Sequence, residues 1–178
     1  NTEALNSLRA FHLQHQDWLF GYLSYDLKNE VEQINSKNHD GIRADSLSFF
    51  IPKYVLLLKG NELAIHTYDT KENCEQFLAK LEINSEEKTS SITLQQRDSK
   101  DVYLQKIAQI KRHIQRGDIY EMNYCQEFFA RETSLNPPAI FQKLKKNTAT
   151  PFSAFLKLNH IYAMCASPER FIKKSRNK

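Results

Sequence analysis

The fold of this chain is decided at residues 117–128, which read GDIYEMNYCQEF and directly follow the clearest helical pattern. Apolar residues recur at intervals of four, three and four from Tyr103 to Ile114, which predicts a helix over residues 100–116 with one buried stripe. Ser99 can cap the start of this helix, and Gly117 is well placed as its stop signal. A strand is expected to begin near Ile119.

The sequence on both sides of this stretch predicts a mixture of helices and hairpins. Further helices are predicted over residues 2–15, 27–34, 71–81 and 137–145, and strands over residues 18–25, 53–59, 62–68, 92–96, 152–158 and 161–166. Asp26 is the expected cap of the second helix, and Gly60-Asn61 is a favoured hairpin turn. Residues 36–45 and 84–91 are predicted loops. Strands in hairpins and strands separated by helices together indicate an α+β fold, with antiparallel sheets and packed helices.

The net charge of +4 does not indicate a nucleic-acid partner. Four cations, Lys173, Lys174, Arg176 and Lys178, lie in the last six residues and account for all of it. A nucleic-acid-binding protein concentrates cations along a folded face, with aromatic residues among them. We therefore expect a neutral body with a solvated basic end.

The sequence lacks the signature motifs of several other protein classes. There is no glycine-rich phosphate loop, no GxSxG and no HExxH motif, and Cys and His show no metal-ligand spacing. No metal ligand is therefore assigned, and the three cysteines are expected to be small buried residues. No signal peptide is recognised, and the longest apolar run, Val55 to Leu58, is too short for a membrane span. We expect a cytoplasmic protein without a membrane partner.

Three further stretches occur in a fixed order around residues 117–128. They are GYLSYD at residues 21–26, TPFSAFL at residues 150–156 and ASPERF at residues 166–171. With GDIYEMNYCQEF, this ordered set resembles the chorismate-binding enzymes, in particular component I of the aminodeoxychorismate synthases. The Tyr and Asn of YEMN, residues 120–123, favour that branch over component I of the anthranilate synthases, although Glu121 departs from its usual Gln.

The resemblance implies what a complete protein of this kind does. It would aminate chorismate at C4 to 4-amino-4-deoxychorismate, on the route to p-aminobenzoate and folate. It would use Mg²⁺ and take ammonia from a glutamine amidotransferase subunit. Residues 1–178 would be the N-terminal and central part of one synthase domain. The catalytic C-terminal part, with a Lys motif and the Mg²⁺ ligands, would be absent, so this piece alone is expected to be inactive.

Glu169 is the expected catalytic residue. Loss of the C4 hydroxyl needs help with a poor leaving group, and a positioned carboxylic acid contributes about 10²–10⁴-fold by protonating such an oxygen. Pro168 restricts the backbone before Glu169, and alternation along a strand would send Arg170 to the opposite face. The alternative is a surface carboxylate at the start of a strand, which composition alone would favour.

Pro151, Phe152 and Ser153 match positions that line an amino-acid pocket in the family, where tryptophan binds. An aromatic face beside a hydroxyl suits an indole ring with polar groups nearby. The alternative is that Phe152 simply packs into the core. Asp118 is expected to organise the turn after the helix, and Asn123 is expected to be buried in a strand with its hydrogen bonds satisfied.

Two other functions remain open at this point. One is anthranilate synthase component I, which differs at the Lys position of the missing motif. The other is a non-catalytic module that binds an amino acid or another subunit.

Overall fold

A computed structural model describes residues 3–32, 34–81 and 91–175 of this chain. Its helices are α1 (Glu3–His15), α2 (Lys28–Val31), α3 (Lys71–Ala79), α4 (Lys100–Arg116) and α5 (Pro137–Thr148). Its strands are β1 (Phe20–Leu23), β2 (Leu47–Phe50), β3 (Val55–Lys59), β4 (Glu62–His66), β5 (Gln95–Gln96), β6 (Phe128–Phe129), β7 (Phe152–Leu158) and β8 (Ile161–Ser167). The strands pair two by two, as β1–β2, β3–β4, β5–β6 and β7–β8. This arrangement confirms the predicted α+β class.

The chain forms two compact units. Unit 1 contains residues 1–84 and 154–165, and unit 2 contains residues 85–153 and 166–178. Burial is low in both: among the described residues, Ala139 of α5 is the one fully buried hydrophobic residue.

In unit 1, β1 pairs with β2 in an antiparallel ladder from Phe20–Phe50 to Leu23–Leu47. Gly21 permits this pairing, because a Cβ atom there would lie 2.0 Å from the carbonyl oxygen of Ser48. The sequence did not predict the partner strand. The approach is therefore between two strands of one sheet.

The hairpin β3–β4 turns at Gly60-Asn61, as predicted, with Lys59 opposite Glu62. Gly60 has a φ of +60°, a backbone conformation that residues with a side chain rarely adopt. Asp69 follows the hairpin and accepts hydrogen bonds from Lys53 Nζ at 2.7 Å, Tyr54 Oη at 2.5 Å and Asn73 Nδ2 at 2.6 Å. These donors, Lys53 first, hold the pKa of Asp69 well below its usual range. Asp69 thereby ties the hairpin to the first turn of α3.

The predicted cap of the second helix is wrong. Ser24, not Asp26, accepts the hydrogen bond at the start, from the backbone N–H of Asp26 at 3.2 Å, and a 3-10 turn precedes the short α2. The carboxylate of Asp26 instead lies 3.0 Å from Lys28 Nζ. Asp26 lies within this 3-10 turn, and the N-cap position of α2 is Leu27, which forms no side-chain capping hydrogen bond.

In unit 2, α4 begins and ends as predicted. The Ser99 hydroxyl accepts a hydrogen bond from the backbone N–H of Val102, and Gly117 ends the helix in the left-handed conformation at a φ of +81°. α5 runs three residues beyond its predicted end and is capped by Asn136 before two prolines. The strands β7 and β8, most of which belong to unit 1, pair across Asn159-His160, as expected.

Other expectations are contradicted. No strand begins near Ile119, β5 and β6 are two residues each, and no residue of α4 is buried. Cys125 and Cys165 are exposed rather than buried, and Cys74 is half-buried. Residues 84–90 of one predicted loop lie outside the described residues. Among the helices that the structure describes, none is long and apolar enough to cross a membrane.

Candidate functional site

The segment Thr150–Ser153 leads into β7 and contains the three predicted pocket residues. The Ser153 hydroxyl lies 3.1 Å from the Thr150 hydroxyl and donates to the Thr150 carbonyl at 3.3 Å. Pro151 occupies the turn between these two residues, and Phe152 and Ser153 are half-buried. The hydroxyl of Ser153 is therefore held by its own turn.

Glu169 lies beyond the end of a strand rather than within one. β8 ends at Ser167, and the Ser167 hydroxyl donates to the Glu169 carbonyl at 2.9 Å, which fixes the bend through Pro168. The strand-alternation argument for Arg170 therefore does not apply. The side chain of Glu169 is exposed and forms no ion pair within the described part of the chain. Its carboxylate is available to a ligand.

Arg170 brings the two family stretches together. Its guanidinium carbon lies 5.1 Å from the centre of the Phe152 ring, within the range of a cation–π contact. Both residues belong to unit 2. The segment at residues 150–153 therefore lies close to the stretch that contains Glu169, although Ser153 and Glu169 are 16 positions apart in the sequence.

Asp118 is the second residue of the stretch at residues 117–128, and its carboxylate contacts the C-terminal end of α4. Asp118 Oδ2 accepts from both Arg116 Nε at 3.1 Å and a second Arg116 nitrogen, and lies 2.7 Å from His113 Nδ1. Arg116, and then His113, lower the pKa of Asp118. Asp118 does organise this turn, but through side chains rather than the backbone groups expected.

Asp98 is a residue that the sequence did not reveal. It accepts hydrogen bonds from Lys106 Nζ at 2.7 Å and from the Tyr124 hydroxyl, and its carbonyl accepts from Gln126 Nε2 at 2.8 Å. Lys106, and then Tyr124, lower its pKa. The spacing of Asp98 and Lys106, two helical turns, is the one local signal. Tyr124 and Gln126 lie 26 and 28 residues from Asp98 in the sequence, so they provided no local signal of these hydrogen bonds.

A second link joins the same regions. Arg97 Nε and Nη2 lie 2.6 and 3.0 Å from the two carboxylate oxygens of Glu127, beside the short β5–β6 pairing. Residues 119–127 form no strand, and these side chains connect Tyr124, Gln126 and Glu127 to residues 97 and 98. Asn123, by contrast, is exposed and lies outside any strand, so its predicted burial is wrong.

Metal binding has no support from side-chain clustering here. Within residues 3–32, 34–81 and 91–175, no three His, Cys, Asp or Glu side chains come together as a cation site. These described residues therefore offer no side-chain cluster that would hold Mg²⁺.

The ordered stretches and the α+β fold define a class of protein. The sequence profile of the family described as chorismate binding enzyme matches residues 1–178. The chain belongs to this family. A search of solved structures agrees on the fold: anthranilate synthase component I from Streptococcus pneumoniae TIGR4 matches with a TM-score of 0.66 at 20% identity, over 85% of this chain and 38% of that one.

Particular relatives fall in two branches of the family. Aminodeoxychorismate synthase component 1 of Klebsiella aerogenes is 28% identical over 167 residues, which is 90% of this chain and 36% of the relative. The protein of the same name from Escherichia coli K12 is 25% identical over 163 residues. An anthranilate synthase component I-like protein of Synechocystis is 24% identical over 165 residues. The chain spans about a third of the length of these relatives.

Proposed function

We propose that this chain forms part of an aminodeoxychorismate synthase component I, which replaces the C4 hydroxyl of chorismate with an amino group. The supporting observation is the contact of Arg170 with Phe152, which joins two family stretches in one unit beside the exposed Glu169. The names of the Klebsiella and Escherichia relatives favour this branch. Ammonia would come from a glutamine amidotransferase subunit, and the product would lead to p-aminobenzoate and folate.

Glu169 is the proposed general acid. Its side chain is exposed and forms no described ion pair, so its carboxyl group is accessible to a ligand rather than held by a neighbouring cation. The hydrogen bond from Ser167 to the Glu169 carbonyl fixes the backbone from which the carboxyl projects. Protonation of the C4 oxygen turns hydroxide into water as the leaving group. Ammonia then forms the bond to C4, and the resulting ammonium group releases a proton that restores the acid, so chorismate and ammonia give 4-amino-4-deoxychorismate and water.

Pro151, Phe152 and Ser153 are the proposed amino-acid subsite, with tryptophan as the ligand. The exposed guanidinium of Arg170 can bind a ligand carboxylate while its plane stays near the Phe152 ring. Mg²⁺ would be held by residues of the complete synthase outside this chain, where it would neutralise carboxylate charge on the substrate.

The first test uses a chimaera, in which this chain replaces the aligned segment of the Klebsiella protein. Given chorismate, ammonia and Mg²⁺, the chimaera should form 4-amino-4-deoxychorismate, and the 178-residue chain alone should form none. A folded chimaera that leaves chorismate unchanged would contradict the proposed function, and activity only in the matched chimaera with the Synechocystis relative would support the other branch. Amination by the isolated chain would contradict its assignment as an inactive part.

Calorimetry with tryptophan tests the non-catalytic alternative. Heat of binding to the isolated chain, together with a chimaera that leaves chorismate unchanged, would favour an amino-acid-binding module. A variant in which Ser153 is replaced by Ala keeps the aromatic face. Comparing its heat of tryptophan binding with that of the native chain measures the contribution of the Ser153 hydroxyl.

A further inference from the structure

A cleft opens in unit 1 beside the turn that joins α1 to β1. It has a volume of about 380 Å³, and its lining includes Asp17, Trp18, Lys53, His66 and Tyr68. All five residues belong to unit 1, and none of them is proposed to contact chorismate or tryptophan. Small-molecule sites in proteins are clefts of about 300–1,000 Å³, so the size of this cleft suits a small ligand.

The local backbone places Asp17 and Trp18 together in this cleft. Gln16 takes the left-handed conformation at a φ of +49°, which turns the chain after α1. Asp17 Oδ1 then accepts a hydrogen bond from the Trp18 N–H at 2.6 Å. The ring of His66, the last residue of β4, lies 5.2 Å from the Trp18 ring between centroids, at an interplanar angle of 39°. The α1–β1 turn and the β3–β4 hairpin thus form two walls of the cleft.

The net charge of the cleft comes from Asp17. Asp17 is half-buried and forms no ion pair within the described part of the chain, where its Oδ2 also has no hydrogen-bond partner. Lys53 lines the cleft too, but its Nζ lies 2.7 Å from Asp69 Oδ2, and that pair carries no net charge. A half-buried carboxylate with a vacant acceptor oxygen favours a cationic ligand that donates hydrogen bonds.

The aromatic side chains favour a flat cation over a compact one. Trp18 is 48% exposed and Tyr68 is 94% exposed, so both rings are accessible to a ligand. The face of an indole ring attracts cations, and a planar guanidinium can stack on it while donating to a carboxylate. An ammonium group is compact and strongly hydrated, so it gains less from such a surface. The pairing of Asp17 with Trp18 therefore fits a guanidinium.

We propose that this cleft binds a small molecule that carries a guanidinium group. Asp17 accepts the hydrogen bonds of the guanidinium, and Trp18 is the surface on which it stacks. The site goes beyond the proposed function and does not depend on it, because no residue of the cleft takes part in the chemistry of chorismate.

Trp18 reports on this site directly, because it is the only tryptophan of the sequence. Arginine is titrated into the isolated chain at about pH 8, where histidine is ordinarily neutral, and the emission of Trp18 is recorded. Citrulline is the matched ligand, since an uncharged urea group replaces the guanidinium and the rest of the molecule is the same. Arginine should change the emission in a saturable way, and citrulline should bind about tenfold more weakly or less.

Two outcomes of this titration would overturn the proposal. Equal binding of arginine and citrulline would show that the guanidinium charge is not recognised. Equal binding of arginine and lysine would show that any cation is accepted, without the stacking contribution of a planar group.

Asp17→Asn separates the charge of the cleft from its fold. The amide oxygen can still accept the Trp18 N–H, so the turn is kept while the negative charge is lost. Arginine should then bind about tenfold more weakly, because a charge-assisted hydrogen bond is removed. Asp45→Asn removes an exposed carboxylate from the same unit and should bind arginine as the native chain does. Unchanged binding by an Asp17→Asn chain that unfolds cooperatively in urea would contradict the role of Asp17.

The chimaera shows whether the site exists in a complete synthase. Calorimetry should give the same affinity for arginine as in the isolated chain, and Asp17→Asn should remove this heat. A folded chimaera that does not bind arginine would overturn the proposal, since the rest of the fold would then cover the cleft. Arginine binding by a chimaera that forms no 4-amino-4-deoxychorismate would support the cleft and contradict the proposed function.

Discussion

Two parts of unit 2 use their charged side chains in opposite ways. In the α4 framework, residues 97–128, carboxylates such as Asp98 and Asp118 are occupied by neighbouring cations and hydroxyls. In the motif segments, Thr150–Ser153 and Ser167–Arg170, Glu169 is free of described ion pairs and Arg170 contacts an aromatic ring. Asp98 and Asp118 are held by neighbouring side chains, whereas the exposed carboxylate of Glu169 has no described ion pair and is accessible to a ligand.

This comparison predicts a separation of effects. Changes in the α4 framework should alter stability and leave the chemistry of the chimaera intact. Changes at Glu169 should do the opposite. A framework variant that abolishes amination while leaving the fold unchanged would break the comparison.

The largest expected effect belongs to Glu169→Gln in the chimaera. Removal of a general acid should lower the amination rate by about 10²–10⁴-fold, because the C4 oxygen must then leave without a proton. The rate is followed by chromatography of the product, and the melting temperature should not move. Glu121→Gln is the matched control, and it should retain full activity. Equal losses in both variants would contradict the role of Glu169.

The next effect concerns the start of α4. Ser99→Ala removes the side-chain acceptor for the Val102 N–H, which should lower the free energy of unfolding by about 1 kcal/mol. Urea unfolding of the isolated chain measures the change. Ser91→Ala, at a serine without a described hydrogen bond, should have no effect; a similar loss there would show that the cap is not the cause.

A smaller effect is expected where the motif segments meet. Arg170→Gln removes the cation beside the Phe152 ring, a contact typically worth about 0.5–1 kcal/mol when exposed. Urea unfolding should show this loss, and Lys174→Gln, which removes a nearby charge, should not. If both variants lose the same free energy of unfolding, the loss of a positive charge, rather than the loss of the ring contact, is responsible.

The smallest effect is the acid response of the framework. The pKa values of Asp98 and Asp118 lie below the ordinary 3.8 because of Lys106 and Arg116, respectively. Their contribution to stability is therefore complete above about pH 5 and is lost as the pH falls through the lowered values. Unfolding curves between pH 7 and pH 2.5 should show this loss for the native chain and a weaker one for Asp98→Asn with Asp118→Asn. An unchanged pH dependence in the double variant would contradict these pairings.

Local signals in the sequence predicted much of this fold. The caps Ser99 and Gly117, the turn Gly60-Asn61 and the apolar period of α4 each act over a few residues, and the corresponding elements lie where expected. The failures are nonlocal. The strand β2 became visible only through its partner, and the strand expected at Ile119 is replaced by side-chain links to Asp98 and Arg97.

The sequence predicted which residues belong to the candidate site, but it did not predict how they are arranged. The sequence singled out Glu169 and Pro151–Ser153, but it placed Glu169 in a strand and could not reveal that Arg170 contacts Phe152. It also predicted a buried stripe on α4, whereas Tyr103 and Ile114 are each 38% exposed and Tyr103 contacts the Tyr124 ring at a centroid distance of 5.5 Å. A periodic pattern indicates which face is meant for burial and does not indicate what covers it.

The central claim is that this chain belongs to an enzyme that aminates chorismate at C4. The most direct measurement is mass spectrometry of the product that the chimaera forms from chorismate, Mg²⁺ and ¹⁵N-ammonia. The account predicts 4-amino-4-deoxychorismate carrying one ¹⁵N atom at C4, and a sharp decrease in its rate of formation with Glu169→Gln. Unchanged chorismate from a chimaera that is folded would contradict it.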